Sequence, residues 1–381
     1  MSKTATHAAN TVGPQDLPEP PSSGRHPQRI YYLDMLRVLA IFAVVAIHAI
    51  GLSHMDTSDL DAWWIGHTII TFSYYCVPVL VMISGAMLLS PGKQMPLLKF
   101  YRKRLPKIVI PLAVWSFFYY LCDIHIHDRN FWFPTYFKRL MSVGLEGHLW
   151  FLYMITGLYL MTPFIRAMLS EDEKNNTMRT ATSFLLVYAV FSTLLFFFEV
   201  YYQIPPYSFL SEAVFSLYIF YFILGHVLHR VEIPRALGLM LSPAVFFISA
   251  IITYYGHYRY AVVLETTRPY FFNHGAPFIM LMGASFFIFF KSLRYKDSPF
   301  MRIVIQLSSV SYGIYLCHVL VLKFLNGELL PIFDGTIFSP FTPRSFEPFL
   351  SGPLLIIVAY LLSLGIALGF QRSKYLRWMV P

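Results

Sequence analysis

Stretches of about 20 apolar residues recur along almost the whole chain, and no other feature constrains its fold as strongly. A bilayer core takes about 20 residues of α-helix to cross. Candidate spans fall at roughly 33–53, 68–90, 106–123, 148–168, 180–200, 210–229, 238–256, 271–290, 303–325 and 350–371. The third is short, and the seventh and ninth have ragged ends. The expected fold is an all-α, polytopic transmembrane bundle of about ten helices. Composition agrees: 56% of the 381 residues are hydrophobic and only 13% are charged, where a soluble domain carries about 25%. No internal repeat stands out, and no soluble domain fits between the spans.

Residues 1–28 are different. Pro14, Pro18, Pro20, Pro21, Ser22, Ser23, Gly24 and Pro27 leave little that is bulky and apolar, which predicts a disordered tail. It does not read as a signal peptide: the first apolar run starts late, lacks a small-residue cleavage site and is followed by further spans. Two regions follow, a cytoplasmic tail over 1–28 and a transmembrane domain over 29–381.

The net charge of +9 lies in short clusters between apolar runs, the pattern that sets membrane orientation rather than one that holds nucleic acid. Most Lys and Arg fall on one side of the alternating connections, Arg29, Lys93, Lys99, the 102–107 cluster, Arg230, Arg235, Lys291 and Arg372 among them. The opposite side has few, and its first loop carries Asp56, Asp59 and Asp61. The positive-inside rule, like the even span count, puts both termini in the cytoplasm. Cys76, Cys122 and Cys317 are far apart, have no metal-ligand spacing and read as packing residues.

Ionisable residues inside a span are costly, so each is a functional candidate. In the first span Asp34 and Arg37 are three apart, and Arg37 and His48 eleven apart. At 100° per residue eleven steps return to within about 20° of the start, so all three share a helix face. His48 lies about 16 Å further along than Arg37 at 1.5 Å per residue. Neutral imidazole accepts a proton near pH 7, which makes His48 the best general-base candidate. The plainer alternative is a snorkelling Arg37 paired with Asp34, and a packing histidine.

Three further clusters stand out. Lys99-Phe-Tyr-Arg102-Lys103-Arg104-Leu-Pro-Lys107 precedes the third span. It suits either an anionic-lipid anchor or a cradle for a phosphate-rich cofactor. Glu146-Gly-His148-Leu-Trp150-Phe-Leu-Tyr153 opens the fourth span. An aromatic belt explains Trp150 and Tyr153 better than it explains Glu146 and His148. In the ninth span Ser311, Tyr315 and His318 share a face, as a structural stripe or a substrate lining. His125-Ile-His127-Asp128 lacks the further ligands a metal needs, and GxSxG, HExxH and Walker motifs are missing.

Together these clusters resemble the family-3 membrane acyltransferases. That family's first span carries an Arg and, after ten residues, a His, matched here by Arg37 and His48. Its second span ends in a Ser-Gly pair, matched by Ser84 and Gly85 in VPVLVMISGAMLL. Its following Arg-x-x-Arg is Arg104-Leu-Pro-Lys107 here; the lysine keeps the charge and loses bidentate geometry. The segments GHLWFLYMITGLYLMTPFI and SVSYGIYLCH also resemble the family's fourth-span and late-span segments. The resemblance runs from about residue 29 to the C-terminus, and the order and placement of the motifs carry it.

The resemblance implies transfer of an acyl group, often acetyl, from cytosolic acyl-CoA to a hydroxyl of a cell-surface or lipid-linked carbohydrate. The chain is similar to the compact glycan O-acetyltransferases rather than to members with a C-terminal SGNH-type hydrolase domain, and implies a multi-pass protein of the bacterial inner membrane. The implied catalytic set is His48, as general base or acyl relay, with Arg37 and Glu146. Arg102, Arg104, Lys107 and Arg37 would contact acetyl-CoA. Asp34, His148, Trp150, Tyr153, Tyr315 and His318 would line the acceptor path, with no metal. Asp34 or Glu146 would orient an imidazolium. A glycan or lipid-precursor flippase, which would consume no thioester, and an inactive sensor are the rival classes.

Overall fold

The computed structural model describes residues 29–54, 60–89, 96–142, 145–169, 174–202, 214–264, 270–329 and 348–380. The chain divides into Met1–Ile30 and Tyr31–Pro381, and all the helices belong to the second unit. The expected disordered tail, and the charges Asp56, Asp59 and Lys93, fall outside the described residues.

The architecture is all-helical: α1 (Tyr31–His54), α2 (Leu60–Ser73), α3 (Cys76–Leu88), α4 (Leu97–Arg104), α5 (Pro106–Ile126), α6 (Phe133–Ser142), α7 (Trp150–Met168), α8 (Lys174–Tyr202), α9 (Val214–Arg230), α10 (Arg235–Tyr258), α11 (Pro277–Ser292), α12 (Pro299–Leu325) and α13 (Pro348–Arg372). Eight helical stretches are long and apolar enough to cross a membrane. They cover eight of the ten expected spans.

The other two, near 210–229 and 271–290, correspond to α9 and α11, which have 17 and 16 residues. Before α11, Tyr270–Phe272 form a buried 3-10 turn, and Pro277 sets the helix start. Non-helical backbone of this kind is tolerated at membrane depth when protein surrounds it.

Two local breaks have identifiable causes. The expected second span is two helices, α2 and α3, with a turn at Tyr74 and Tyr75. Pro78 has no N–H and its ring clashes with the carbonyl four residues back, at Tyr74. The span also begins earlier than residue 68, because His67 interrupts the hydropathy while stacking on Trp63 and Tyr254. The basic cluster is itself helical as α4, which Leu105 and Pro106 join to α5. One helix was not expected: α6, in an anticipated loop, is short and amphipathic. It exposes Phe133, Phe137 and Met141 on one side, buries Tyr136 and pairs Arg139 with Asp123 at 2.6 Å, as an interfacial helix does.

α1 is central. It packs on α2, α3, α11, α12 and α13, and Leu36, Ala40 and Val45 are fully buried. It runs parallel to α12, because Arg37 meets Ser308 and His48 meets His318 further along. α3 and α9 approach backbone to backbone: a Cβ at Gly85 would overlap the Phe222 carbonyl, and one at Gly225 the Met82 carbonyl. Lipid gives no hydrophobic drive between helices, so close approach of small residues supplies the attraction.

Candidate active site

Two polar regions lie along the seam between α1 and α12. The first is near the start of both helices. Arg37 Nη1 donates to Ser308 Oγ at 3.0 Å, and Ser308 Oγ donates to Asp34 Oδ1 at 2.6 Å. Arg37 and Asp34 are also 3.8 Å apart. Asp34 is buried and Arg37 half-buried, so the serine hydroxyl lets a carboxylate sit in apolar surroundings without losing its partners.

A cavity of about 410 Å³ opens beside this network. Arg37, Arg104 and Lys107 line it, together with Ser84, Tyr159, Ser311, Tyr312 and Tyr315, over an apolar wall that includes Ile41, Ile83 and Ile155. Three cations and no carboxylate are among its lining residues; Asp34 stands behind Ser308. Arg104 and Lys107 are three residues apart, within about 60° on a helical track, whereas Arg102 is about 200° from Arg104. Arg102 is accordingly exposed and does not line the cavity. The Ser-Gly pair divides its work: Ser84 faces the cavity and Gly85 admits α9. Arg166, which the sequence did not single out, donates to the Leu88 carbonyl at 2.6 Å and lies over Phe100, beside the same wall.

The second region is a cluster of three imidazoles. His48 of α1, His148 of the turn before α7 and His318 of α12 have ring centroids 4.9 Å (His48 to His318), 5.0 Å (His148 to His318) and 6.0 Å (His48 to His148) apart. His148 and His318 are buried and His48 is exposed. His48 Nδ1 donates to the Val44 carbonyl at 2.8 Å, and His318 Nδ1 to the Tyr315 carbonyl at 2.6 Å. A neutral imidazole with Nδ1–H carries its lone pair on Nε2. Tyr119 of α5 packs on His148 at 5.1 Å and hydrogen-bonds around the Leu316 turn.

Tyr315 touches both regions. It lines the cavity, its ring lies 5.6 Å from His148 and 5.9 Å from His318, and its hydroxyl donates to the His148 carbonyl at 2.5 Å. His48 itself does not line the cavity.

The remaining expected residues lie elsewhere. Glu146 pairs with Lys323 Nζ at 3.0 Å, and Lys323 also reaches Glu328 at 3.5 Å. Trp150 leans toward Tyr218 and His274, and Tyr153 donates to the Leu140 carbonyl on α6. Tyr119, which packs on His148, and Lys323, which holds Glu146 beside the cluster, were not foreseen. A lysine five residues beyond His318, at the end of a long apolar helix, was the available signal. His125 donates to the Leu329 carbonyl and His127 pairs with Asp123. Among the described residues no group of three His, Cys, Asp or Glu is placed to hold a metal ion.

The arrangement is that of an integral, multi-pass membrane protein with a cation-lined cavity and, further along the same helix seam, a cluster of three imidazoles. The chain belongs to acyltransferase family 3: the family model, described as an acyltransferase domain, matches residues 30–371. Comparison with the curated proteins and with the solved structures finds no match.

Proposed function

We propose that this membrane acyltransferase takes its acyl group, of acetyl size, from a cytosolic acyl-CoA and passes it to a hydroxyl of a cell-surface or lipid-linked carbohydrate. The bilayer is the bacterial inner membrane, and both termini lie on its cytoplasmic side. The observation that carries the donor is the cavity itself: Arg37, Arg104 and Lys107 converge on it with no opposing carboxylate in its lining. Phosphate oxygens bind such cations through charge-assisted hydrogen bonds, and the apolar wall behind them suits a pantetheine arm.

The chemistry follows from the tautomers. His48 Nε2 carries the lone pair, so it takes the proton from the acceptor hydroxyl as the oxygen attacks the thioester carbonyl. The C–S bond breaks and the thiolate leaves toward the cavity. Tyr315 lines the cavity and packs 5.9 Å from His318, so a thioester route toward the imidazoles runs along its ring. Trp150, exposed beside Tyr218, offers an aromatic face to the acceptor.

The test is purified protein in nanodiscs with acetyl-CoA and a glycan acceptor, following free thiol and acylated product. Wild type is expected to release thiol in step with product, and His48→Ala to lose about 100-fold or more. Undiminished transfer in a folded His48→Ala protein removes His48 from both the base and the relay role. Transport of a glycan with no thiol released would favour a flippase.

A further inference from the structure

An imidazole that takes a proton needs somewhere for that proton or its charge to go, and carboxylates usually serve. Here they are engaged elsewhere. Asp34 is held by Ser308 and Arg37, about 20 Å along the helix from His48 at 1.5 Å per residue. Glu146 and Lys323 engage each other at 3.0 Å. The groups whose rings face His48 are His318 from α12 and His148 from the turn before α7. Tyr119 and Tyr315 enclose His148 from α5 and α12.

The hydrogen bonds of these histidines are incomplete in a specific way. His318 is fully buried, and its Nδ1 proton is fixed on the Tyr315 carbonyl. Its Nε2 therefore presents a lone pair, and no donor meets it among the described residues. Among the described residues neither ring nitrogen of buried His148 makes a well-formed hydrogen bond, although the ring interacts with the Leu316 backbone. A buried polar atom without a partner is costly, and the bare lone pair of His318 beside the under-bonded ring of His148 calls for an explanation. A proton that arrives only during turnover provides one. The lone pair on Nε2 of His318 can accept it, and the His148 ring packs against both His48 and His318, 6.0 and 5.0 Å away between centroids.

We propose that His318, assisted by His148, is the positioning partner of His48 that holds the abstracted proton, in place of the carboxylate of a Ser-His-Asp arrangement. This rests on the acyl-transfer function proposed above. The acceptor O–H proton moves to His48 Nε2, then to His318 Nε2. It returns by the same route, or past Tyr315, to the thiolate released when the C–S bond breaks, so no net proton is gained or lost. His318 is well placed for that return, because Tyr315, one turn before it, lines the donor cavity.

The experiment compares wild type, His318→Gln and His318→Ala in nanodiscs with acetyl-CoA and a glycan acceptor. Binding of desulfo-CoA, measured calorimetrically, reports that the donor cavity is folded. Glutamine keeps the bulk and hydrogen-bonding capacity of the histidine but cannot carry a proton. The expected result is unchanged desulfo-CoA affinity in both variants, kcat reduced about 10- to 100-fold with KM for acetyl-CoA within about twofold, and loss of one limb of the pH profile. Added imidazole should restore part of the activity of His318→Ala, which a purely structural role would not allow. Wild-type kcat and pH profile in His318→Gln overturn the proposal. So does a kcat loss in both variants that imidazole does not relieve and that leaves the pH profile unchanged. Wild type that consumes no thioester overturns the acyl-CoA function instead, and this proposal with it.

Discussion

The two ends of the seam between α1 and α12 solve opposite problems with the same pair of helices. At Arg37, a guanidinium, a hydroxyl and a carboxylate complete one another's hydrogen bonds, and further cations face the open space of a cavity. At His48, three imidazole rings crowd together, and among the described residues several of their ring nitrogens have no partner. The first end suits binding: serine and carboxylate support its fixed charges, which can attract an anion without rearranging. The second end is built for change. Neutral imidazoles can be buried where a permanent charge could not, and each can take up a proton when one is delivered. Tyr315 belongs to both ends.

The largest expected effect tests the binding end. Arg104→Ala with Lys107→Ala removes two of the three cations of the cavity. At about 1.5–3 kcal/mol for each charge-assisted bond, CoA affinity should fall by at least about 100-fold by calorimetry. The single change Lys107→Arg should keep most of it. Unchanged affinity in the double variant would mean that the donor binds elsewhere and the contrast between the ends fails.

Next comes the scaffold that shapes the cavity wall. Gly85→Ala forces a methyl into the Phe222 carbonyl and should cost about 3 kcal/mol, at the upper end of overpacking, because backbone rather than a flexible side chain must move. A lowered melting temperature in detergent would show it. Gly51→Ala, on the same protein but with open space around it, should leave the melting temperature nearly unchanged.

Tyr315 sharpens the comparison itself. Tyr315→Phe removes the bond to the His148 carbonyl and keeps the ring, a change of about 0.5–1.5 kcal/mol. It should lower kcat roughly three- to tenfold with little change in CoA affinity. Tyr315→Ala merges the two ends and should raise thioester hydrolysis in the absence of acceptor. The smallest effect is expected at Arg102. It is exposed and outside the cavity, so Arg102→Ala should change CoA affinity by no more than about threefold, and salt should suppress even that.

Much of this was legible along the chain, and for a definable reason. Where a property depends on spacing within one helix, sequence suffices. Arg37 and His48 face α12 because eleven residues make just over three whole turns. Arg104 and Lys107 reach one cavity because they are three apart. The same rule places Arg102 on the far side, outside the cavity lining, on helical geometry already available in the sequence. The breaks at Pro78 and Pro106 were equally present in the sequence, obscured by unbroken hydropathy.

What depends on partners from distant helices was not legible. Glu146 stands beside His148 in sequence, yet its partner is Lys323, brought there by the packing of α12. Trp150 and Tyr153 lie on the motif that contains His148 and turn to other neighbours. Hydropathy alone determined a helical membrane bundle, because unbroken apolar runs of about 20 residues satisfy their backbone in a bilayer as helices, whereas barrel strands are short and alternating. The meeting of three histidines from three segments, and the interposition of Tyr315, were decided by tertiary packing, because contacts such as Gly85 against Phe222 that set neighbouring helices in place carry no periodic signal in the chain.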